Sequence, residues 1–184
     1  MTVAVVVGGA RGVLKQYEQA VDLCADAGLP HVTLVVNDVI TIFGGDVDHA
    51  VTLHADRLKD WLRERRDRGY SDPGMTWAQR QPRANNSPRV EKIVPEWGGS
   101  SGLYAVTIAL LHLKLRKVIL CGVPMDNQVH LIRGRPWQNF GVFVKAWRSH
   151  REEIAPYVRS FSGWTAELFG MPTQQFLEDN SDGA

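Results

Sequence analysis

Cysteine is scarce: the 184-residue chain has two, Cys24 and Cys121. Neither lies in a CxxC or Cys/His spacing, so nothing in the sequence suggests a disulfide framework or a zinc site. Both thiols fall among apolar neighbours, where reduced core cysteines belong. An excess of one charge is missing too. The 21 Lys and Arg against 20 Asp and Glu leave a formal charge of +1, which argues against an overall nucleic-acid or membrane-surface role and leaves room only for local patches. No apolar run approaches membrane-spanning length, and no basic, apolar leader with a small-residue cleavage site opens the chain. A cytoplasmic protein is expected. A chain of this length reads as one domain, large enough to bury a core without staples.

What is present centres on residues 96–126. The loop Trp97-Gly98-Gly99-Ser100-Ser101-Gly102 opens an apolar helix over 103–115, and the strand 117–122 follows, ending in Val123-Pro124-Met125-Asp126. A small-residue loop at a helix start leaves backbone N–H groups and the positive end of the helix dipole aimed at one spot, which suits a phosphate or carboxylate. Ser100 or Ser101 serves as N-cap, and Gly98, Gly99 and Gly102 let the backbone approach a ligand. A side chain at Gly102 is expected to fill the anion site. The alternative, a tight turn before a core helix, is equally open at this point.

Residues 2–7 form a β-branched run typical of a strand buried on both faces, ending in Gly8-Gly9-Ala10-Arg11-Gly12 and followed by a helix that carries Leu14, Tyr17, Val21 and Cys24. Strand, glycine turn and helix make the first half of a nucleotide-binding βαβ unit. The spacing is GGxxG rather than GxGxxG and no acidic residue marks a ribose position, so a mononucleotide is expected rather than a dinucleotide. Residues 31–36 give the second strand, with Asn37 at its carboxyl end, and residues 48–53 the third, ending at His54. Asn37 reads equally as a loop cap. Asp46-Val47-Asp48-His49 has the spacing of a metal-holding carboxylate pair but precedes a strand, and no metal site is assigned to it. Residues 55–69 read as an amphipathic helix with Leu58, Trp61 and Leu62 inward and Arg63, Arg65, Arg66 and Arg68 on a solvated face. Residues 70–98, rich in proline, read as a lid-like insertion with Arg80, Arg83 and Arg89 as anion contacts, or else as disorder; within them 90–94 is a strand.

Residues 127–139 are irregular again and carry His130, Arg133, Arg135 and Trp137. No acidic residue falls between Asn127 and Arg151, so one side of the cleft is expected to be electropositive and to favour departure of a phosphate leaving group. His130 is the candidate general base or acid, with a surface histidine as the alternative. A helix over 141–157, a strand over 158–161, two short helices and a frayed tail at 178–184 complete the expectation. The fold class is α/β, a Rossmann-like doubly wound, mainly parallel sheet in three α/β/α layers.

The run Ser100-Ser101-Gly102-Leu103-Tyr104-Ala105-Val106-Thr107-Ile108-Ala109-Leu110, followed by Lys117-Val118-Ile119-Leu120-Cys121-Gly122-Val123-Pro124-Met125-Asp126, resembles a segment shared by bacterial lipooligosaccharide sialyltransferases, flagellin glycosyltransferases and archaeal 6-hydroxymethylpterin diphosphokinases. Gly8-Gly9 and Asn37 resemble that superfamily's nucleotide-contacting positions. The closing segment Val158-Arg159-Ser160-Phe161-Ser162-Gly163-Trp164 is similar to uncharacterised bacteriophage proteins. The resemblance implies a nucleotide-binding transferase of glycosyltransferase type using a nucleotide-sugar donor. In it, Gly8, Gly9, Asn37, His54, Gly99, Ser100, Ser101, Gly102, Arg133 and Arg135 bind substrate, and His130 or Asp126 handles the acceptor proton. A diphosphokinase remains the alternative, needing Mg²⁺ on carboxylates such as Asp126, as does a non-catalytic nucleotide-binding or interaction protein of the same fold.

Overall fold

A five-residue strand of nothing but valine and alanine sits at the middle of the molecule: β1 (Val3–Val7) is completely buried. In the computed structural model, which describes residues 1–81, 90–94, 99–137 and 140–179, β1 pairs on one side with β2 (His31–Val36) and on the other with β6 (Lys117–Cys121), both in parallel. Beyond β2 come β3 (His49–Thr52), β4 (Met75–Ala78) and β5 (Lys92–Ile93), and beyond β6 comes β7 (Val158–Ser160). The sheet has seven strands in the order β5-β4-β3-β2-β1-β6-β7, and every pairing is parallel.

Alternate side chains of β1 enter different layers, because successive strand residues point to opposite faces. Val3, Val5 and Val7 join α1 (Val13–Asp26), α2 (Leu58–Asp67) and α7 (Gln174–Glu178) through Ala20, Cys24, Trp61, Leu62 and Phe176. Ala4 and Val6 join α3 (Ser101–Thr107), α4 (Phe140–Ser149), α5 (Arg151–Ile154) and α6 (Gly163–Phe169) through Leu103, Trp147, Ile154 and Phe169. The result is a three-layer, Rossmann-like α/β fold. Helices on both faces explain why β1 and β6 read as continuous apolar runs instead of alternating ones. Cys24 and Cys121 are free and buried, and burial raises both thiols, Cys24 to about 11.

Several local expectations change. Residues 75–78, inside the stretch expected to be an insertion, supply a sheet strand, and the strand expected at 90–94 is confined to Lys92–Ile93. The remaining lid expectation, with Arg83 and Arg89, lies outside the described residues, as does the tail from 180. The helix expected over 141–157 is two helices separated at His150. Helix α3 is followed by a π-helical turn, Ile108–His112, in which the Leu113 amide donates to the Ile108 carbonyl at 2.9 Å.

The largest change concerns Arg65. It lies on the inner side of α2 and is fully buried, whereas Arg63, Arg66 and Arg68 form exposed ion pairs with Asp60, Asp72 and Glu64. The β2–β3 connection has only a 3₁₀ turn, Asn37–Thr41, followed by irregular backbone, so its inward carbonyls lack helical partners. The Arg65 guanidinium supplies them. It donates to the carbonyls of Ile40 at 3.0 Å, Phe43 at 2.5 Å and Gly45 at 3.0 Å, and to that of Ser71. A rigid fork of five donors suits this task as no other side chain does.

Candidate functional site

The strand order reverses between β1 and β6: the chain moves outward from β1 to β5, then crosses back to the other side of β1. In open parallel sheets such a switch point leaves a crevice beyond the carboxyl ends of the strands. A cavity of about 350 Å³ opens there, lined by Gly8 and Gly9 after β1, Asn37 and Asp38 after β2, and Leu53 and His54 after β3. Gly99 to Gly102 at the start of α3, Val123 and Met125 after β6, and His130, Arg133, Arg135, Pro136 and Trp137 complete most of the wall. Every substrate-binding residue named from the sequence thus lines one cleft, together with His130.

Asp126 does not line it. Its carboxylate accepts from the Gln128 amide at 2.9 Å and from Gln128 Nε2 at 3.2 Å, closing its own turn. Of the other basic residues expected near the cleft, Lys145, Arg148, Arg151 and Arg80 are absent from the lining, and Arg148 stacks on Trp164 at 5.5 Å. Asp48 lies at the opposite, amino end of the strands, just before β3, where Oδ2 accepts from the Thr33 amide at 2.7 Å. Among the described residues no three His, Cys, Asp or Glu are grouped so as to hold a metal.

The start of α3 is organised around Ser100. Its Oγ accepts from the Leu103 amide at 3.0 Å as N-cap and from Trp147 Nε1 on α4 at 3.2 Å. With both lone pairs taken, what remains is its own O–H donor. Ser101 Oγ accepts from the Leu53 amide at 3.4 Å, which ties the same turn to the end of β3. The Ser101 and Gly102 amides have no acceptor among the described residues. Gly102 does something other than expected: a Cβ there would lie 2.7 Å from Val123 Cγ1 and 3.6 Å from Trp147 Cζ2. Its missing side chain makes room for the core and not for a ligand.

The β1–α1 turn is closed by a strap, residues 128–137, folded back as a hairpin. The Arg11 amide donates to the Val129 carbonyl at 2.9 Å, and the Leu131 amide to the Gly9 carbonyl at 2.7 Å. The Ala10 amide donates to the Gly122 carbonyl at 3.1 Å. With the Gly8 amide on the Cys121 carbonyl at 2.8 Å, the Gly8, Ala10 and Arg11 amides are taken by protein, and residues 10–12 do not reach the cleft. Gly9 is a glycine because the His130 ring lies over it, with a built Cβ only 2.6 Å from Nε2. Gly8 is a glycine because a Cβ would overlap the Gly122 carbonyl and lie 2.6 Å from Val123 Cγ2.

His130 is 5% exposed and held on both ring nitrogens. Nδ1 accepts from the Ile132 and Arg133 amides, each at 3.2 Å, and Nε2 lies 3.5 Å from Asp38 Oδ1. This pattern assigns the proton to Nε2 and leaves no imidazole lone pair for a substrate. In this arrangement His130 orients a carboxylate. Asp38 Oδ2 in turn receives Arg133 at 3.3 Å. Burial pushes the Asp38 carboxyl up, but the neighbouring His130 and Arg133 outweigh it, and the net shift is downward. Sequence reasoning stopped one residue short at Asn37, and it named Trp137 without giving it a role. The ring of Trp137, 6.0 Å from that of His130 at 39°, offers the cleft a flat apolar wall.

No protein-family model matches the chain, and no significant match to a curated protein is found.

Proposed function

We propose that this cleft binds a nucleoside phosphate and that the protein is a transferase of glycosyltransferase type taking a nucleotide-sugar donor. The observation that carries the reading is the presence, in the lining of one switch-point cleft, of Ser100, Ser101 and Gly102 at the start of α3 together with Arg135. All offer donors, and together with the dipole of α3 they suit a diphosphate and stabilise it as it leaves. The volume suits a nucleotide, and Trp137 supplies a face for a base or sugar. His54, exposed at the end of β3 and on the cleft wall, is the ring placed to take the acceptor proton.

The donor set fits a Mg²⁺-dependent diphosphokinase poorly. Asp38 is the only carboxylate in the described lining and is already shared between His130 and Arg133. A binding protein without chemistry is favoured by one observation, the occupied lone pair of His130. A thermal-shift panel of CMP, CDP, UDP, ADP, GDP and ATP, with and without Mg²⁺, tests the reading. A ligand at a hundred times its Kd should add about 2.7 kcal/mol, a rise of roughly 5–10 °C for a domain of this size. A metal-independent rise with CMP or UDP supports the proposal, a rise with ATP only beside Mg²⁺ favours the kinase, and no rise refutes nucleotide binding. Donor hydrolysis or transfer by the responsive nucleotide's sugar conjugate then separates an enzyme from a binder.

A further inference from the structure

The wall at the end of β2 differs chemically from the wall at the start of α3. Asn37 has a left-handed backbone, φ 56°, and its Oδ1 accepts from Thr52 Oγ1 at 2.9 Å. The Thr52 oxygen is itself fixed, since it accepts from the His54 amide at 2.8 Å. What Asn37 retains for the cleft is its Nδ2 amide, a donor. The Asp38 side chain is 14% exposed; its Oδ1 lies 3.5 Å from His130 Nε2, and its Oδ2 accepts from Arg133 Nε at 3.4 Å and Nη2 at 3.3 Å. A carboxylate has about four lone-pair directions. Three long contacts from two partners orient it and leave acceptor capacity on Oδ1, in a side chain that lines the cavity. Donor and acceptor thus stand on adjacent residues, while the α3 wall offers donors alone.

A pair of vicinal hydroxyls meets a donor and an acceptor side by side, because each hydroxyl both gives and receives. A phosphate in that place accepts only and would face the Asp38 charge. The geometry points to Asp38, with Asn37 beside it, as the specificity-determining pair that selects a ligand bearing free vicinal ring hydroxyls, its anion directed to the start of α3, and rejects ligands phosphorylated on that ring. His130 is a positioning residue for this pair. The inference rests on the nucleotide reading of the cleft and deepens it.

Calorimetric titration of UDP, CMP and ADP, each beside its 2′,3′-dideoxy and its 3′-phosphorylated counterpart, tests it on the wild type and on Asp38→Asn. The wild type should bind the unmodified nucleotide about tenfold or more tighter than the dideoxy form, as expected for a charge-assisted hydrogen bond, and should bind the 3′-phosphorylated form more weakly still. In Asp38→Asn the hydroxyl preference should collapse and binding of the 3′-phosphorylated form should recover. Equal affinity for the unmodified and dideoxy forms in the wild type overturns the inference while leaving nucleotide binding intact. An undiminished preference in Asp38→Asn overturns the assignment to Asp38. Binding of none of the nine compounds overturns this inference and the nucleotide reading together, so the two failures are distinguishable. Asn37→Gly, which suits the left-handed backbone, removes the donor half and should lower the same ratio, so the test survives if Asp38→Asn does not fold.

Discussion

The two glycine turns of this protein look alike in sequence and do opposite things. Gly8-Gly9 follows the first strand and Gly99 to Gly102 precedes the central crossover helix; both read as loops that open a helix to an anion. The first is sealed by protein: the Gly8, Ala10 and Arg11 amides are bonded to Cys121, Gly122 and Val129, and the His130 ring lies over Gly9. The second is held from behind by Ser100 and Trp147, with two amides that have no described protein acceptor. Glycine marks close approach of protein in both, of Gly122, Val123 and His130 at the first turn and of Val123 and Phe143 at the second; what differs is how many backbone amides are left without a protein acceptor. A glycine motif alone does not say how many.

The comparison can be broken most severely at the sealed turn. Gly8→Val should cost about 3 kcal/mol or more, because its side chain collides with backbone that cannot retreat; urea denaturation reads the loss, and a variant within 1 kcal/mol of wild type would show that the turn is not sealed. Gly102→Ala should cost roughly 1–3 kcal/mol by overpacking Val123, and Val123→Ala in the same chain should restore part of it. If Gly102→Ala instead keeps full stability and loses nucleotide binding, the glycine faces the ligand after all. Ser100→Ala should cost about 1 kcal/mol as a lost cap, with an added change in Trp147 fluorescence as its indole N–H loses a partner.

Two smaller effects sharpen the contrast. His54→Ala should lower turnover with donor affinity retained, whereas His130→Ala should act on affinity through Asp38. Steady-state kcat and KM for both variants separate these outcomes. The last concerns pH. The Asp38 carboxyl lies below its ordinary value of about 3.9 in the folded protein. Its contribution to stability is therefore fully present above that value and is lost as pH falls through the lower folded value. Acid unfolding profiles should show this loss in wild type and a shallower one in Asp38→Asn.

How far the sequence led depended on how local each signal was. The strands β1, β2 and β6 announce themselves as apolar runs, and the placing of Asn37, His54 and Ser100 at one end of the sheet follows from parallel topology alone. Strand β4 was missed because Met75-Thr76-Trp77-Ala78 is short, mixed in character and set behind Pro73-Gly74. Arg65 was missed because an arginine in a basic run reads as solvated; its role depends on carbonyls 20 to 25 positions away. Asp38 was missed for the same reason at greater range. Its partners reach it only when the strap folds back across 95 positions of chain, and no periodicity records that.

The π-helical turn that ends the crossover helix has a consequence for how this chain tolerates change in length. A ring closed between Ile108 and Leu113 spans one residue more than an α-helical ring, so the turn holds a spare residue just before the chain leaves the helix for β6. Removing one residue within 108–112 would restore an α-helical last turn and leave the Ser101 and Gly102 amides aimed as they are. Removing one within 101–107 would turn the Ser101 and Gly102 amides by about 100° away from the cleft. Length is therefore negotiable at one end of this helix and fixed at the other.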